Sequence, residues 1–458
     1  MSTAFTYNDI IINPTTIIQN ISQPLTVHSG DTTEIYLCFT ATSLCTMTIS
    51  GSPDAYSGYC ELHIEKLTNS QNVDGLYAFH FTMQKYIYEP GEASYINFSF
   101  TYTAETCNYP VIMQQEINFR LHGCQRYYMY YTTTNGNTIT PKSDAHGTEI
   151  LTGDTAQFGA TYLGTEQSPT TSEPNRCVYI FDDKPTKIGD YSFYSTSIKT
   201  INIYDTDAQS IGNYSFSRSS IESAQIPEST QTIGNAAFSS CAYLTSVTIN
   251  DYADTLGASA FSQDVILERV VIGKGIEEIK NGTFMGCTAL TGISIPNYVT
   301  NIGISAFTNC RNMTSLSIGS RVASIGADSF RGCTSLTTVS IPNSVTGIGN
   351  SAFYSCGSLT AVTIGDSATT IGSSAFSGCR NILALVIGSS VSSIGDSGFS
   401  GCQSMMAIYS KPSQPPTIQS STFYNVPSNA TLYVSSSAAV SAYERWAQFT
   451  DIRVYSGG

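Results

Sequence analysis

Charged residues are scarce in this chain, and those present are mostly acidic. Only 12% of the 458 residues are charged, about half of the usual quarter. Lys and Arg number 20 against 34 Asp and Glu, which makes the formal net charge -14. Nucleic acids and anionic membrane surfaces attract proteins through clustered Lys and Arg, so this balance predicts no nucleic-acid partner. Ser, Thr and Asn take the place of charge, as is common in β-rich surface and fibre proteins.

Long apolar runs are missing as well. No stretch reaches the roughly 18 apolar residues that a membrane-spanning helix requires, which predicts no membrane insertion. The first ten residues, MSTAFTYNDI, carry no basic residue ahead of an apolar run. We therefore expect no secretory signal peptide and a protein made in the cytoplasm.

Motifs that carry catalysis or hold a metal are missing too. The sequence has no GxSxG, P-loop, HExxH or CxxC motif, and its five histidines are dispersed before residue 150. The acidic pairs at 182–183 and 277–278 consist of neighbours, which point to opposite faces of a strand and do not converge. We expect no catalytic residue, no metal and no cofactor, and hence no enzyme.

What the sequence does contain, in its second part, is a repeat. Eleven phenylalanines recur at a near-constant interval, with a period of 23 in most steps: Phe193, Phe216, Phe238, Phe261, Phe284, Phe307, Phe330, Phe353, Phe376, Phe399 and Phe423. A period of roughly 20 to 30 residues is typical of a solenoid, in which each repeat stacks on its neighbours. The pattern predicts a solenoid of about 11 repeats.

Other apolar positions keep step with the phenylalanines. After Phe330 come Val339 and Ile341, two residues apart, which predicts the inward face of a short strand. An Ile-Gly pair such as Ile348-Gly349 precedes the phenylalanine in most repeats and indicates a turn where a side chain would obstruct or where φ is positive.

Cysteine follows the same period. Seven cysteines lie three residues after a repeat phenylalanine: Cys241, Cys287, Cys310, Cys333, Cys356, Cys379 and Cys402. No histidine and no CxxC pair accompany them, which argues against metal. We interpret them, with the phenylalanines, as buried repeat core.

The chain before the repeats has a different character. Alternating apolar residues predict strands at 77–83 and 96–102, and the sequence Glu-Pro-Gly-Glu at 89–92 predicts that the two form a hairpin. Further alternation predicts strands at 117–121 and 127–131. We therefore expect a mainly β protein, with an antiparallel β-sandwich or jelly roll ahead of the repeat solenoid. The expected domains are an arm at 1–30, the sandwich at 31–165, a polar linker at 166–177, the solenoid at 178–410 and a capping unit at 411–458.

Two sets of residues are candidates for binding. The first is a tyrosine cluster, since tyrosine offers contact area and a hydroxyl at low entropic cost: Tyr127, Tyr128, Tyr130 and Tyr131. The second is the outward position of the repeat strands, which we expect to be small, nearly neutral and free of aromatic residues: Ser294, Ser317, Ser340 and Thr363.

The repeat resembles the BspA-like leucine-rich repeat family. The motif stands at 348–359 (IGNSAFYSCGSL) and at 371–379 (IGSSAFSGC), with IPNSV at 341–345, and the likeness covers about residues 180–458. The end of the chain is similar to the capping unit of such arrays in gut Bacteroidales proteins. The resemblance implies adhesion to host-cell or matrix proteins, to other bacteria or to surface ligands, and it brings no catalytic residue. The first domain resembles no family that we identify.

Three functional hypotheses follow. The first is a virion fibre or spike, on the head or tail of a bacteriophage that infects Bacteroidales. Its N-terminal domain would dock to other virion proteins, and its solenoid would bind a host surface protein or glycan. The second is a bacterial cell-surface adhesin, and the third is an intracellular scaffold built on the same repeats. A homo-oligomer is compatible with all three.

Overall fold

A computed structural model describes residues 127–204 and 206–455 in full, and eight strands of the preceding segment by their backbone. The chain divides into two compact units, Met1–Tyr127 and Tyr128–Gly458. The architecture is mainly β in both units, with one short α-helix among the described residues.

Two three-stranded sheets and a small two-stranded sheet form the described part of the first unit. Its strands are β1 (Thr6–Tyr7), β2 (Ile10–Ile11), β3 (Leu25–His28), β4 (Phe39–Thr40), β5 (Cys60–Glu65), β6 (Leu76–Met83), β7 (Tyr95–Tyr102) and β8 (Gln115–Cys124). β1 pairs with β2, and the larger sheets have the orders β3-β8-β7 and β4-β6-β5. All of these pairings are antiparallel except that of β3 with β8. The packing of these sheets as a sandwich or jelly roll stays a prediction.

The predicted strands of the first unit are present, but the predicted hairpin is wrong. β6 pairs with β5 and β4, whereas β7 pairs with β8 in the other sheet. The connection from β6 to β7 spans 84–94, more than twice the length of a tight hairpin loop. A turn signal in the sequence does not determine which strands pair. The turn itself lies outside the described residues.

The remaining strands and the helix build the solenoid and its two ends. The first are β9 (Tyr127–Thr133), β10 (Tyr162–Gln167), β11 (Arg176–Phe181), β12 (Lys187–Ile188), β13 (Ile198–Ile201), β14 (Ser210–Ile211), β15 (Ala224–Gln225), β16 (Thr232–Ile233), β17 (Ser246–Thr248), β18 (Thr255–Leu256), β19 (Arg269–Val271), β20 (Glu278–Ile279) and β21 (Gly292–Ser294). The rest are β22 (Asn301–Ile302), β23 (Ser315–Ser317), β24 (Ser324–Ile325), β25 (Thr338–Ile341), β26 (Gly347–Ile348), β27 (Ala361–Ile364), β28 (Thr370–Ile371), β29 (Ala384–Ile387), β30 (Ser393–Ile394), β31 (Ala407–Ser410), β32 (Thr431–Val434), α1 (Ser437–Tyr443) and β33 (Ile452–Val454).

Most coils of the solenoid contribute one strand of three or four residues, one two-residue strand and one phenylalanine turn. Val339 pairs with Val362 on the long strands and Ile348 with Ile371 on the short ones, in parallel and each exactly one period apart. Along the third side the eleven phenylalanine rings form one column, with successive centroids 5.0 to 5.6 Å apart. The array has about 12 turns, against about 11 repeats expected from the sequence.

The glycine of the Ile-Gly pair is required by close packing between coils. A β-carbon on Gly349 would lie 2.5 Å from the backbone nitrogen of Ala327 in the preceding coil. Positive φ occurs elsewhere in the coil, at the residues two before and two after the phenylalanine. Around Phe353 these are Ser351 (φ 55°) and Ser355 (φ 58°). Of the two readings of the Ile-Gly pair, obstruction is therefore the correct one.

The start of the solenoid is covered by a four-stranded sheet in the order β10-β11-β9-β13. Residues 166–177 were predicted as a linker. They form the end of β10, the loop that follows it and the start of β11, and the two strands pair as an antiparallel hairpin. Residues 128–165, predicted as part of the sandwich, belong to the second compact unit. The Pro-bearing polar stretch is a hairpin loop rather than a domain boundary, because apolar residues on both sides of it pack onto the first coil. The ring centroids of Phe158 and Tyr179 lie 6.0 and 5.6 Å from that of Phe193.

The other end of the solenoid is closed by β32, α1 and β33. Trp446 is buried and packs against Phe423, the last ring of the column, at 5.2 Å. Its indole nitrogen donates to the Pro416 carbonyl at 3.2 Å. Trp446 lies just beyond the helix, which ends at Tyr443. Phe449 packs on the Phe423 ring at 5.3 Å, so the apolar end of the stack is covered by these two aromatic side chains.

Candidate functional site

The predicted repeat core lies inside the solenoid. Twelve side chains have no exposed surface: Phe284, Phe307, Phe330, Phe353, Phe376, Phe399, Cys287, Cys310, Cys333, Cys356, Cys379 and Cys402. Each of these six thiols donates to the carbonyl of the phenylalanine in the preceding coil, as Cys310 does to Phe284 at 3.2 Å. The cysteines thus pack as small core residues and also tie one coil to the next.

The buried thiols are poor nucleophiles. Burial raises the pKa of Cys333 to about 12 and those of Cys310 and Cys356 well above the ordinary value. The thiolate is the reactive species, and it is scarce at neutral pH in such surroundings. Among the fully described residues, no group of three or more His, Cys, Asp or Glu side chains could hold a metal ion. In the same part of the chain, no helix has the length and apolar character to cross a bilayer.

The tyrosine cluster does not present one binding face. Tyr131 is buried and stacks on Tyr179, with ring centroids 4.2 Å apart. Its hydroxyl accepts from the Ile139 backbone nitrogen at 2.9 Å and bonds the Thr165 hydroxyl at 2.9 Å. Burial raises the pKa of Tyr131. This residue is therefore core, because strand alternation turns it inward, and its assignment to a binding surface is corrected.

The other three tyrosines of the cluster are half-buried. Tyr128 stacks with Tyr130 at 6.4 Å, and Tyr127 begins the same strand. The Arg176 guanidinium lies 4.5 Å from the centre of the Tyr130 ring and covers part of it. Contacts within the protein thus occupy part of the area that would have been offered to a ligand.

The predicted Ser/Thr column is exposed and in register. Ser294 pairs with Ser317 and Ser340 with Thr363, each one coil from the next, and all four are exposed. Neighbouring side chains in such a column lie about 4.8 Å apart. The strands therefore bring these four residues onto one face of the long strands, which we call the sheet face.

The sequence predicted a sheet face free of aromatic residues, but the structure places two tyrosines on it. Thr363 pairs with Val386, Val386 with Tyr409, and Tyr409 with Tyr433. The two tyrosine rings are half-buried and stack with centroids 4.7 Å apart and planes 9° from parallel. The sequence analysis missed them because it ended the column one repeat before Tyr409 and assigned residues 432–434 to the cap. The alternation in 407–410 and 431–434 was the signal that could have found them.

Two further exposed apolar side chains directly precede the strands β29 and β31, which carry Val386 and Tyr409. Leu383 is 45% exposed and Met406 is 68% exposed. They lie at the same corner of successive coils, since the Met406 nitrogen donates to the Leu383 carbonyl at 2.9 Å. We call Leu383, Val386, Met406, Tyr409 and Tyr433 together the C-terminal patch.

A charged pair lies at the edge of the C-terminal patch. Arg453 pairs with Tyr433 across the strands, and its guanidinium contacts the Asp451 carboxylate at 2.8 Å. The hydrogen bonds from Arg453 and Thr431 hold the pKa of Asp451 below its ordinary value. The arrangement offers apolar area, two phenol hydroxyls and an ion pair.

Comparison with known families matches the solenoid. A model of the BspA-type leucine-rich repeat region matches in six copies, over residues 178–291, 254–383 and 369–452. Comparison with curated proteins finds no match.

Solved structures of similar proteins come from several bacteria. A leucine-rich repeat protein from Bacteroides ovatus is 20% identical, with 60% of this chain and 89% of that one covered and a TM-score of 0.35. A leucine-rich cell surface protein from Faecalibacterium prausnitzii is 24% identical, with 61% of this chain and 88% of that one covered and a TM-score of 0.32. The leucine-rich repeat protein of T. pallidum is 25% identical, with 40% of this chain and 78% of that one covered and a TM-score of 0.31.

Proposed function

Because the chain belongs to the BspA-type leucine-rich repeat family, we propose that it is a non-enzymatic binding protein whose solenoid attaches to a partner at a surface. The observation that supports this most is the C-terminal patch. Two exposed side chains, Leu383 and Met406, lie there beside two half-buried tyrosines on a stack of paired strands. Rigid presentation of such side chains lowers the entropic cost of binding.

We propose that the partner at the C-terminal patch is a protein rather than a glycan. One face of the Tyr409 ring and one face of the Tyr433 ring cover each other, and the Tyr455 ring meets Tyr409 edge to face at 6.4 Å, so only part of the aromatic area stays open. Sugars bind best to open ring faces, whereas protein interfaces use tyrosine edges together with aliphatic side chains. Leu383 and Met406 supply those aliphatic contacts.

Two settings suit this activity. In the first, which the sequence favoured, the chain is a virion fibre or spike of a Bacteroidales phage. The first unit would dock to other virion proteins while the solenoid faces the host. In the second, the chain is a bacterial cell-surface adhesin. An intracellular repeat scaffold would be a third. The division into two compact units supports a separate docking unit in either of the first two settings.

The binding activity is tested with the full chain immobilised on a sensor. It would be exposed in turn to intact Bacteroidales cells, to the same cells after surface proteolysis, and to purified extracellular-matrix proteins. We expect capture of untreated cells or of a matrix protein, and loss of cell capture after proteolysis. Failure to bind any of these would contradict the adhesive function, and binding that survives proteolysis would contradict a protein partner.

The setting is tested by mass spectrometry of purified phage particles and of host outer-membrane fractions. Detection of the chain in particles supports the virion setting. Detection only in the outer-membrane fraction would overturn it in favour of the cell-surface adhesin.

A further inference from the structure

Two exposed tyrosines lie on one corner of the solenoid with a gap between them. Tyr252 and Tyr298 each stand in the turn that joins a long strand to the following short strand, and they are 69% and 46% exposed. In the coil between them, the same position of the turn is Gly275. Successive coils lie about 5 Å apart, so the two tyrosines leave the backbone roughly 10 Å from each other. The corner thus carries two phenol rings with the width of one further ring between them.

Close packing keeps the middle position free of a side chain. A β-carbon on Gly275 would lie 2.3 Å from the Ala253 carbonyl oxygen of the preceding coil, so the turn cannot carry another residue without a shift of its backbone. The rings on either side also differ from Tyr409 and Tyr433, which cover each other. In the fully described part of the chain, neither Tyr252 nor Tyr298 stacks on another ring. Both therefore keep ring faces open to a ligand.

An exposed ion pair lies beside the gap. Lys274 directly precedes Gly275, and its ammonium contacts the Asp251 carboxylate at 2.5 Å. The Lys274 backbone nitrogen donates to the same carboxylate at 3.1 Å. The hydrogen bond to Asp251 raises the pKa of the Lys274 amine. The phenols of Tyr298 and Tyr252 raise this pKa further, so the ammonium lies near both rings. The pair offers hydrogen-bond donors and acceptors to a group held between the rings.

The charges around the gap disfavour an anionic ligand. Lys274 and Asp251 neutralise each other, and the same two turns carry the exposed carboxylates of Asp254 and Glu277. Arg321 belongs to the turn one coil beyond the gap. A carboxylate or sulfate placed between the rings would therefore meet more negative than positive charge at short range.

A neutral pyranose ring, the six-membered ring of common sugars, matches these groups. Its two faces carry C–H groups, which pack on the electron-rich faces of aromatic rings. Its rim carries hydroxyls that both donate and accept, as an ammonium beside a carboxylate requires. An aromatic side chain of a partner could also enter the gap, but it has no rim of hydroxyls and would leave the ion pair without partners.

We propose that Tyr252, Tyr298, Lys274 and Asp251 form a sugar-binding site, the aromatic slot, which holds one neutral pyranose ring of a glycan carried by the protein partner. The attachment of the glycan to a protein rests on the proposed function, whereas recognition of the sugar does not. The two tyrosines contact the two faces of the ring, and the ion pair bonds its hydroxyls. The C-terminal patch binds the polypeptide of the same partner.

The aromatic slot is tested by saturation-transfer NMR of the full chain. The probes are the methyl glycosides of glucose, galactose and mannose, together with methyl glucuronide, which adds a carboxylate to the glucose ring. We expect at least one neutral glycoside to bind, with the strongest saturation at its ring C–H protons, and the glucuronide to bind more weakly than the glucoside. N-acetyltyrosine amide is included as the probe for an aromatic side chain.

Three double variants locate the binding. Tyr252→Ala with Tyr298→Ala should weaken binding of the glycoside by at least about tenfold, since two ring contacts are lost. Tyr252→Phe with Tyr298→Phe keeps both ring faces and should retain most of the affinity, which separates ring contact from an effect on folding. Tyr243→Ala with Tyr424→Ala removes two exposed tyrosines at other positions of the coil and should bind as the wild type does.

Four outcomes would overturn the proposal. The site does not exist if no neutral glycoside binds the folded chain, or if the folded Tyr252→Ala, Tyr298→Ala variant binds as well as the wild type. Tighter binding of the glucuronide than of the glucoside would contradict a neutral ligand. Tighter binding of N-acetyltyrosine amide than of any glycoside, lost in the same variant, would assign the slot to an aromatic side chain. Capture of cells by a chain that binds no glycoside would overturn the sugar site alone and leave the adhesive function standing.

Discussion

The ring of Phe353 stacks on the ring of Phe376 in the next coil, with centroids 5.0 Å apart and planes 3° from parallel. Both side chains are fully buried. A column of such pairs runs the length of the solenoid, so each coil completes the core of its neighbours and none has a core of its own.

Removal of one ring should therefore weaken several coils. We expect Phe353→Ala to cost about 3–5 kcal/mol of unfolding free energy, as large-to-small core substitutions do. Denaturant unfolding of the full chain measures this cost. Thr363→Ala, on an exposed residue of an adjacent strand, is the control and should change stability by less than about 0.5 kcal/mol. Equal stability of the two variants would contradict the assigned register.

The close approach of coils at the Ile-Gly pair gives a second prediction. Gly349→Ala would place a β-carbon 2.5 Å from the Ala327 nitrogen and should destabilise by about 1–3 kcal/mol, as overpacking does. Gly357→Ala is the matched control and should cause no clash, since a β-carbon there meets no atom within 4 Å. Thermal melting of both variants distinguishes a local clash from a general intolerance of alanine. A Gly349→Ala melt equal to that of the wild type would count against the proposed packing.

The buried thiols provide a third prediction. Because burial raises the pKa of Cys333 to about 12, its thiolate is scarce at pH 8 and its alkylation by iodoacetamide should be negligible in the native protein. After denaturation the same thiol should react within minutes. Mass spectrometry of the peptide that contains Cys333 measures both states. Rapid native labelling of this peptide would mean that the coil opens readily or that the thiol is not in the core.

The cap gives a fourth prediction. Trp446→Ala removes the side chain that covers Phe423 and leaves the Pro416 carbonyl without its donor. We expect a loss of about 3–5 kcal/mol in the stability of the last coils. Proteolysis should then begin at the C-terminal end of the array, while fragments containing Phe284 and Phe307 persist. Uniform digestion of all coils would argue against a local capping role.

Much of the solenoid could be predicted from the sequence, because core residues that touch in successive coils lie one period apart along the chain. Phe330, Val339 and Ile348 recur one period later as Phe353, Val362 and Ile371, and the strands pair in that register. Pairing in the first unit could not be predicted in this way. Alternation identified the strands at 76–83 and 95–102, but their partners depend on packing between distant segments.

The candidate site was only partly accessible to sequence reasoning. The exposed column from Ser294 to Thr363 follows from strand alternation alone. Its continuation to Tyr409, one regular period after Val386, was missed because the column was ended one repeat too early, and Tyr433 was missed because it lies beyond the regular repeats, in the cap. Tyr131 was misplaced because alternation marks two faces of a strand without saying which one is buried.

The most direct test of the proposed function compares two double variants of the full chain in the cell- and matrix-binding assay. Tyr409→Ala with Tyr433→Ala removes the aromatic part of the C-terminal patch, and Ser317→Ala with Ser340→Ala alters the polar column of the same face. Melting curves establish that both variants are folded. The account predicts at least about tenfold weaker binding for the tyrosine variant and little change for the serine variant. Undiminished binding by the folded tyrosine variant would contradict it.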